Sequence, residues 1–287
     1  MNSKYAFFTI DVESFSDTEC VAGSGYCSKD DMLDGLQTYI DVLNKYNIKA
    51  TMFTLKDVAS KYKGLLSEFI SGGHKLALHG NRHVPMIDMP LSRFKRETIH
   101  AKNVLEDIFG VKVRGFRAPF FSMDRARLDI LQSLGFLYDS SLTEFSHARH
   151  TTPVNLDGFS NPQGRIFVKD GFYEFGNSME KVFDSSFPIS GGGYMRLSPW
   201  FFSGSLLGKH LKRNDYYMFY LHPFELSNHK MPYIKNLKIH DMIYLYSGIS
   251  GYKTRLERII DNLTKEGYTF STFEDVAEEN MFNQKTE

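Results

Sequence analysis

The sequence is poor in cysteine, with only Cys20 and Cys27 among its 287 residues. The two lie close together in a polar loop, but the Cys-x-x-Cys spacing typical of thiolate zinc sites is absent. Because no secretion signal precedes them, we expect free thiols, with a local disulfide as the stereochemical alternative.

The sequence also lacks net charge and long apolar runs. Lys plus Arg and Asp plus Glu each number 34, so no overall field would attract nucleic acid or an anionic membrane. No stretch approaches the roughly 18 consecutive apolar residues that span a bilayer. The first residues have no basic region followed by a long apolar core. We therefore expect a cytoplasmic protein without an integral membrane segment.

Aromatic residues, by contrast, are abundant. The chain has 25 Phe and 16 Tyr, and 42% of its residues are hydrophobic, which suits a globular protein with a sizeable core. Aromatic rings also line sugar-binding grooves, where the apolar face of a pyranose packs flat on a ring. Composition alone does not choose between these two uses.

Strand and helix patterns alternate along most of the chain. Seven strand-like runs are separated by stretches of helical periodicity, and they lie at 5–10, 49–54, 76–78, 113–116, 136–138, 216–221 and 268–272. This alternation predicts an α/β fold of βαβ units with about seven parallel strands, and their number favours a barrel. The segment 140–214 breaks the rhythm, with only short aromatic strand-like pieces such as 171–175. We interpret the chain, 1–287, as one domain with an irregular insertion, 140–214, over the C-terminal face of the barrel.

Five of the predicted strands end in polar or ionisable residues. The first runs into Asp11 and Glu13, and later ones end at Arg117, at Asp139 and at His222. In a parallel barrel these ends face the same way, and a stable barrel does not need polar groups there. Their convergence predicts a catalytic site at that rim.

A pair of histidines, His79 and His83, follows the third strand directly. On a helical turn, side chains four residues apart share a face, so two imidazoles can converge on one ion. A carboxylate with two neutral imidazoles makes a three-ligand site of the zinc type, with open positions.

Five motifs resemble those of the polysaccharide deacetylase family, the NodB-homology carbohydrate esterases, which have a distorted (β/α) barrel. The matching stretches run collinearly over residues 5–275 and read Asp11-Val12-Glu13, His79-Gly80-Asn81-Arg82-His83, Arg117-Ala118-Pro119, Asp139-Ser140-Ser141 and Leu221-His222. A further stretch, 191–196, is similar to a segment of the exopolysaccharide-biosynthesis branch. Five short motifs in the right order are specific, whereas any one alone is weak.

The resemblance implies a role for each matching residue. It implies Asp11 as catalytic base, Arg117 as the residue that orients and tunes this base, and His222 as catalytic acid. It implies a divalent metal, Zn²⁺ above all, with Co²⁺, Ni²⁺ or Fe²⁺ as alternatives. The metal ligands would be Glu13, His79 and His83. Four residues are further candidates for substrate contact: Pro119, Asp139, Tyr194 and Arg196.

The function implied is a metal-dependent hydrolase that removes N-acetyl groups from an N-acetylated sugar or from a polysaccharide or glycolipid precursor. Its partner would be that carbohydrate and not a nucleic acid, and the oligomeric state stays open. Two alternatives remain. One is an allantoinase-like hydrolase of a non-sugar amide. The other is a non-catalytic glycan-binding relic, in which Glu13, standing where an aspartate is common, has abolished metal binding.

Overall fold

The computed structural model describes residues 3–26, 30–144 and 154–284. Cys27 and part of the predicted insertion, 145–153, lie outside the described residues. The described chain contains twelve β-strands and eleven α-helices. The strands are β1 (Tyr5–Val12), β2 (Ala50–Thr54), β3 (Lys75–Leu78), β4 (Gly115–Phe116), β5 (Tyr138–Asp139), β6 (Ser160–Gln163), β7 (Ile166–Lys169), β8 (Phe172–Phe175), β9 (Met179–Val182), β10 (Ser185–Pro188), β11 (Tyr216–Leu221) and β12 (Thr269–Ser271). The helices are α1 (Glu19–Ala22), α2 (Asp34–Lys45), α3 (Lys56–Lys61), α4 (Lys63–Ser71), α5 (Leu91–Phe109), α6 (Arg125–Ser133), α7 (Gly192–Leu197), α8 (Trp200–Arg213), α9 (Ile239–Tyr246), α10 (Tyr252–Lys265) and α11 (Phe273–Gln284).

Seven strands run parallel and side by side in the order β11-β1-β2-β3-β4-β5-β8, and β12 also pairs in parallel with the start of β1. Two antiparallel strands, β7 and β6, continue the sheet beyond β8. The sheet is curled and mostly parallel, which confirms the predicted α/β fold with about seven parallel strands. Residues that follow β8 cover the free edge of β11, where Met218 N donates to Ser178 Oγ (2.8 Å) and Tyr220 N to Ser190 O (2.7 Å).

The segment 140–214 contains more regular structure than its sequence indicates. Its described parts carry β6 to β10 and the helices α7 and α8, and the strand-like piece 171–175 supplies β8, one of the seven parallel strands. The sequence pattern did not predict this regularity, because each of these strands has only four residues, too few to establish a period of two. Gly164 and Gly171, both at positive φ, make the tight turns between them.

Alternation along β1 separates an outer from an inner core. The even-numbered residues 6–12 of β1 belong to the large cluster between sheet and helices, whereas Phe7 belongs to the cluster inside the barrel. Because side chains in a strand alternate with a period of two, Thr9 and Asp11 face the inside as well. The sequence pattern of β1 therefore carries Asp11 into the barrel.

Helix α11 closes the amino-terminal end of the barrel. Its residues Phe273, Val276 and Ala277 join the inner cluster. The ring of Phe273 lies 4.4 Å from that of Phe175 and 4.7 Å from that of Phe7, measured between centroids. The end opposite the polar rim is thus sealed by aromatic packing.

Within the described ranges, we find no helix with the length and hydropathy needed to cross a bilayer.

The aromatic seal should contribute strongly to stability. We expect Phe273→Ala to lower the free energy of unfolding by roughly 3–5 kcal/mol, because it removes a fully buried ring and leaves a cavity. Urea unfolding followed by circular dichroism measures this loss. Phe183→Ala is the matched control, since Phe183 is 97% exposed. Equal losses of unfolding free energy in the two variants would contradict the proposed contribution of the Phe273 ring to stability.

Candidate active site and metal centre

The polar residues predicted from the strand ends lie at one edge of the sheet. Asp11 is in β1, and His79, Arg117 and His222 directly follow β3, β4 and β11. This edge opens into a cavity of about 1060 Å³. Five of the six predicted catalytic and metal-binding residues line this cavity: Asp11, Glu13, His79, His83 and His222. The sixth, Arg117, contacts Asp11.

Glu13 faces the two histidines of the predicted metal motif. Its Oε2 lies 2.8 Å from Nε2 of His83 and 3.9 Å from Nε2 of His79. One ligand atom from each of the three residues lies within 4.8 Å of the others. Glu13, His79 and His83 therefore form a possible metal site.

The two histidines converge through an irregular turn rather than the helical turn that their spacing predicted. Residues 79–84 form no helix. Gly80 has a φ of 104°, and a Cβ there would lie 2.8 Å from the Met86 side chain, so only glycine fits without displacing it. The tight bend at Gly80 brings His83 back toward Glu13.

His79 is held in the form that suits a metal ligand. Its Nδ1–H donates to the carbonyl oxygen of Arg117 at 2.9 Å, which leaves the Nε2 lone pair pointing toward Glu13. Burial lowers the pKa of His79 to about 4, so the ring is neutral at physiological pH.

The ionised form of the Glu13 carboxyl is strongly favoured. Burial alone raises the pKa of a carboxyl, but the facing His83, His222 and His79 outweigh it and lower the pKa of Glu13 to about 2. Oε2 of Glu13 is buried and has no well-aligned hydrogen-bond donor, which is the environment that a cation would complete. Donor atoms of a tetrahedral zinc site lie about 3.3 Å apart, between the two distances found here. The residues present therefore fit a divalent metal.

Asp11 lies beside these residues but is bound to Arg117. Nη1 of Arg117 donates to Oδ1 of Asp11 at 2.7 Å, and both side chains are buried. The same guanidinium donates to Thr9 Oγ1 (2.9 Å) and to the carbonyl and hydroxyl oxygens of Ser140 (both 3.0 Å). Cζ of Arg117 also lies 4.1 Å from the ring centroid of Phe53. Arg117 is thus fixed on all sides and presents Asp11 to the cavity in one orientation.

His222 lies across the cavity and is supported by a carboxylate that the sequence analysis missed. Oε2 of Glu225 accepts from the backbone N–H of His222 (3.1 Å) and lies 3.5 Å from its Nδ1. Burial lowers the pKa of an imidazole, but Glu13 and Glu225 outweigh it and raise the pKa of His222 to about 9. His222 is therefore protonated at neutral pH.

Glu225 is in turn held by Arg196. The Nε of Arg196 donates to Oε1 of Glu225 at 2.9 Å, and both side chains are fully buried. Another N–H of Arg196 donates to the carbonyl of Tyr244 in α9. This ion pair joins α7, the turn after β11 and α9.

The four predicted substrate contacts have different environments. Tyr194 lines the cavity and is 46% exposed. Arg196 does not line it, because its guanidinium is buried against Glu225. Asp139 does not line the cavity either, and it accepts from N and Oγ of Ser141. Pro119 is buried at the start of a 3₁₀ turn. Asp139 and Arg196 are thus buried in contacts within the chain, while Tyr194 is the one of the four that lines the cavity.

Several site residues were not found from the sequence. Glu225 had a local signal, because a carboxylate three residues after a possible helix cap is a capping pattern. Phe120 had none: it has a φ of 59°, lines the cavity and packs 4.4 Å from the ring of His83. Cys20 also lines the cavity as a free thiol, and burial raises its pKa to about 12, so it is not a nucleophile at neutral pH.

Comparisons with known families divide the chain near residue 139. A profile described as polysaccharide deacetylase matches residues 26–138. A second profile, described as a domain of unknown function (DUF3473), matches residues 140–278.

Relatives and a solved structure agree with the first profile. The chain is 30% identical over 86 residues to a bifunctional xylanase/deacetylase of Pseudobutyrivibrio xylanivorans (30% of this chain, 14% of that protein). It is 23% identical over 108 residues to a peptidoglycan deacetylase of Helicobacter pylori (38% and 37%). The aligned part thus spans less than half of the length of these relatives.

The fold is similar over almost its whole length to a crystal structure of a putative polysaccharide deacetylase from Mycobacterium smegmatis. The TM-score is 0.63 at 18% identity, with 99% of this chain and 92% of that chain covered. The profile match and the barrel agree with the motifs found at the strand ends. Residues 26–138 therefore form a domain of the polysaccharide deacetylase family.

Proposed function

We propose that this protein is a metal-dependent hydrolase that removes N-acetyl groups from an N-acetylated sugar, within a polysaccharide or a glycolipid precursor. The observation that carries the proposal is the arrangement around one cavity of a possible metal site, a carboxylate fixed by arginine and a protonated histidine. Amide hydrolysis needs these three elements together.

The proposed metal ligands are Glu13, His79 and His83, and Zn²⁺ suits this donor set best. When bound, the cation would acidify a water molecule and polarise the amide carbonyl. The remaining chemistry belongs to the side chains of the chain itself.

Asp11 would accept the proton of the attacking water. A general base must be ionised and must be oriented toward the water. Arg117 supplies the orientation, since it donates to Oδ1 of Asp11 at 2.7 Å and its other hydrogen bonds fix its own position. Asp11 is not among the three residues that form the possible metal site, which leaves it available as a base.

His222 would donate a proton to the departing amine. An amine leaves poorly as an anion, so a positioned acid is required. Glu225 and Glu13 keep His222 protonated, and the Arg196–Glu225 ion pair holds the carboxylate that supports it.

Acetate release from defined substrates tests the activity. We expect the wild-type protein to release acetate from one or more of a small library of lipid-linked, nucleotide-linked and free N-acetyl sugars, measured by mass spectrometry. Asp11→Asn should lower turnover by about 10²- to 10⁴-fold while metal content is unchanged, because only the base is lost. Asp129→Asn is the control, since Asp129 is exposed and pairs with Arg125.

The same measurement separates the alternatives. Turnover of cyclic ureides without acetate release would favour an allantoinase-like enzyme. Full activity of Asp11→Asn would reject the assigned base. A protein that binds no stoichiometric metal ion and turns over no substrate of either class would favour the glycan-binding relic, whereas one bound ion per chain would exclude it.

Metal binding should depend on the three proposed ligands. We expect chelator-treated protein to bind one Zn²⁺ per chain by isothermal titration calorimetry. His83→Ala should weaken binding at least about 100-fold, since loss of an outer-shell partner alone costs 10- to 100-fold. His100→Ala, on the exposed side of α5, should bind as the wild type does. Unchanged affinity in His83→Ala would show that the metal lies elsewhere.

The Arg196–Glu225 pair should set the alkaline limit of activity. Glu225→Gln removes a negative charge that raises the pKa of His222, so the alkaline limb of the kcat/KM profile should move to lower pH, by about one unit. The pH dependence of acetate release measures this shift. A uniform loss of activity with the limb unmoved would mean that Glu225 has only a structural role.

A further inference from the structure

Exposed apolar side chains concentrate in two segments that contribute to the wall of the cavity. Ten large apolar side chains of the described residues are exposed, and eight belong to two segments, 183–201 and 233–243, that supply cavity-lining residues. The eight are Phe183, Tyr194, Leu197, Phe201, Tyr233, Ile239, Met242 and Ile243. An apolar area of this kind, beside a site, indicates a surface that is covered in use.

Helix α9 carries the clearest part of this area. Ile239, Met242 and Ile243 are 78%, 45% and 50% exposed, and their i, i+3, i+4 spacing places them on one face of the helix. Leu245 points into the protein and is fully buried, while Tyr244 lines the cavity. The helix thus packs through its other sides and turns an apolar face to solvent.

The exposure is not caused by loose attachment of α9. Arg196, itself buried, donates to the carbonyl oxygens of Tyr244 and Ser247 at the end of the helix. A Cβ at Gly193 would lie 2.5 Å from the Tyr244 ring, so α7 and α9 are in close contact. The apolar face is therefore presented by a firmly held element.

Positive charge is in excess in the segment that carries this face, although the whole chain is neutral. Residues 226–256 contain four lysines and one arginine, with Asp241 as their only acid. Lys230, Lys235 and Lys238, which precede or cap α9, are exposed. The zero net charge, which predicted no attraction to anionic membranes, conceals this local excess.

We propose that the α9 face docks on the surface of an anionic lipid bilayer. Ile239, Met242 and Ile243 would enter the headgroup region while the neighbouring lysines contact lipid phosphates. A second copy of this chain is a poorer occupant, because a two-fold contact through α9 would bring the lysines of both copies together. Docking in this way would turn the cavity mouth, lined there by Tyr194, Lys238 and Tyr244, toward the membrane, where lipid-carried sugars are found. The inference goes beyond the proposed activity and is tested without turnover.

Vesicle co-sedimentation tests the docking surface. We expect the wild-type protein to bind phosphatidylcholine–phosphatidylglycerol vesicles, and to bind them less at high salt. Ile239→Ser with Ile243→Ser should weaken binding at least about tenfold through lost apolar burial. Lys230→Ala and Lys235→Ala should each weaken it about fivefold.

Matched controls lie on α5, which packs against α3, α4 and α6. Leu91→Ser and Lys95→Ala replace exposed residues there and should bind as the wild type does. Thermal unfolding confirms that each variant is folded. Equal binding by the isoleucine variant, equal binding to pure phosphatidylcholine vesicles, or a dimer in analytical ultracentrifugation that the isoleucine variant abolishes would each overturn the proposal. Because acetate release is measured separately, failure of docking and failure of the proposed activity are distinguishable.

Discussion

A guanidinium buried inside the barrel imposes the arrangement of the site. Removing a charge from water is costly unless the charge is paired and hydrogen-bonded, so the surroundings of Arg117 must supply partners for it. They do so through Asp11 and Thr9 of β1 and through Ser140 after β5. The carbonyl of Arg117 meanwhile accepts the Nδ1–H of His79. One residue thus aligns the proposed base through its side chain and a proposed metal ligand through its backbone.

A second buried ion pair, between Arg196 and Glu225, supports the proposed acid, His222. Arg196 and Glu225 are buried together, and Glu225 contacts His222 while Arg196 holds the end of α9. These residues all belong to 140–278, the part matched by the domain of unknown function. The proposed base and metal ligands precede residue 139, whereas the proposed acid and its support follow it. The two matched regions therefore meet across one cavity, and neither contains a complete site, since Asp11 and Glu13 precede residue 26.

Much of the fold and of the site was predictable, because both depend on short-range patterns. Apolar runs of strand length that alternate with helical periodicity predict a parallel sheet, and the polar residues that end them predict the rim. Asp11 follows the period of two along β1, which carries it to the inner face, and Glu13 comes directly after the end of that strand. Three features were not predicted, because their sequence patterns are too short or because they depend on residues distant in the chain. They are the four-residue strands after residue 159, the turn at Gly80 that replaces a helical turn, and the positive φ of Phe120.

The sequence by itself determined the parallel α/β class, the polar strand ends and the identity of the two histidines and two carboxylates that face one another, because these follow from periodicity and from residue chemistry. Only the tertiary structure decided how they are held. In the folded chain, Arg196, a candidate for substrate contact, is the buried partner of Glu225, and Asp139 accepts from Ser141. The apolar face of α9 is exposed to solvent. Those outcomes depend on which distant residues meet, and neighbours along the chain carry no information about that.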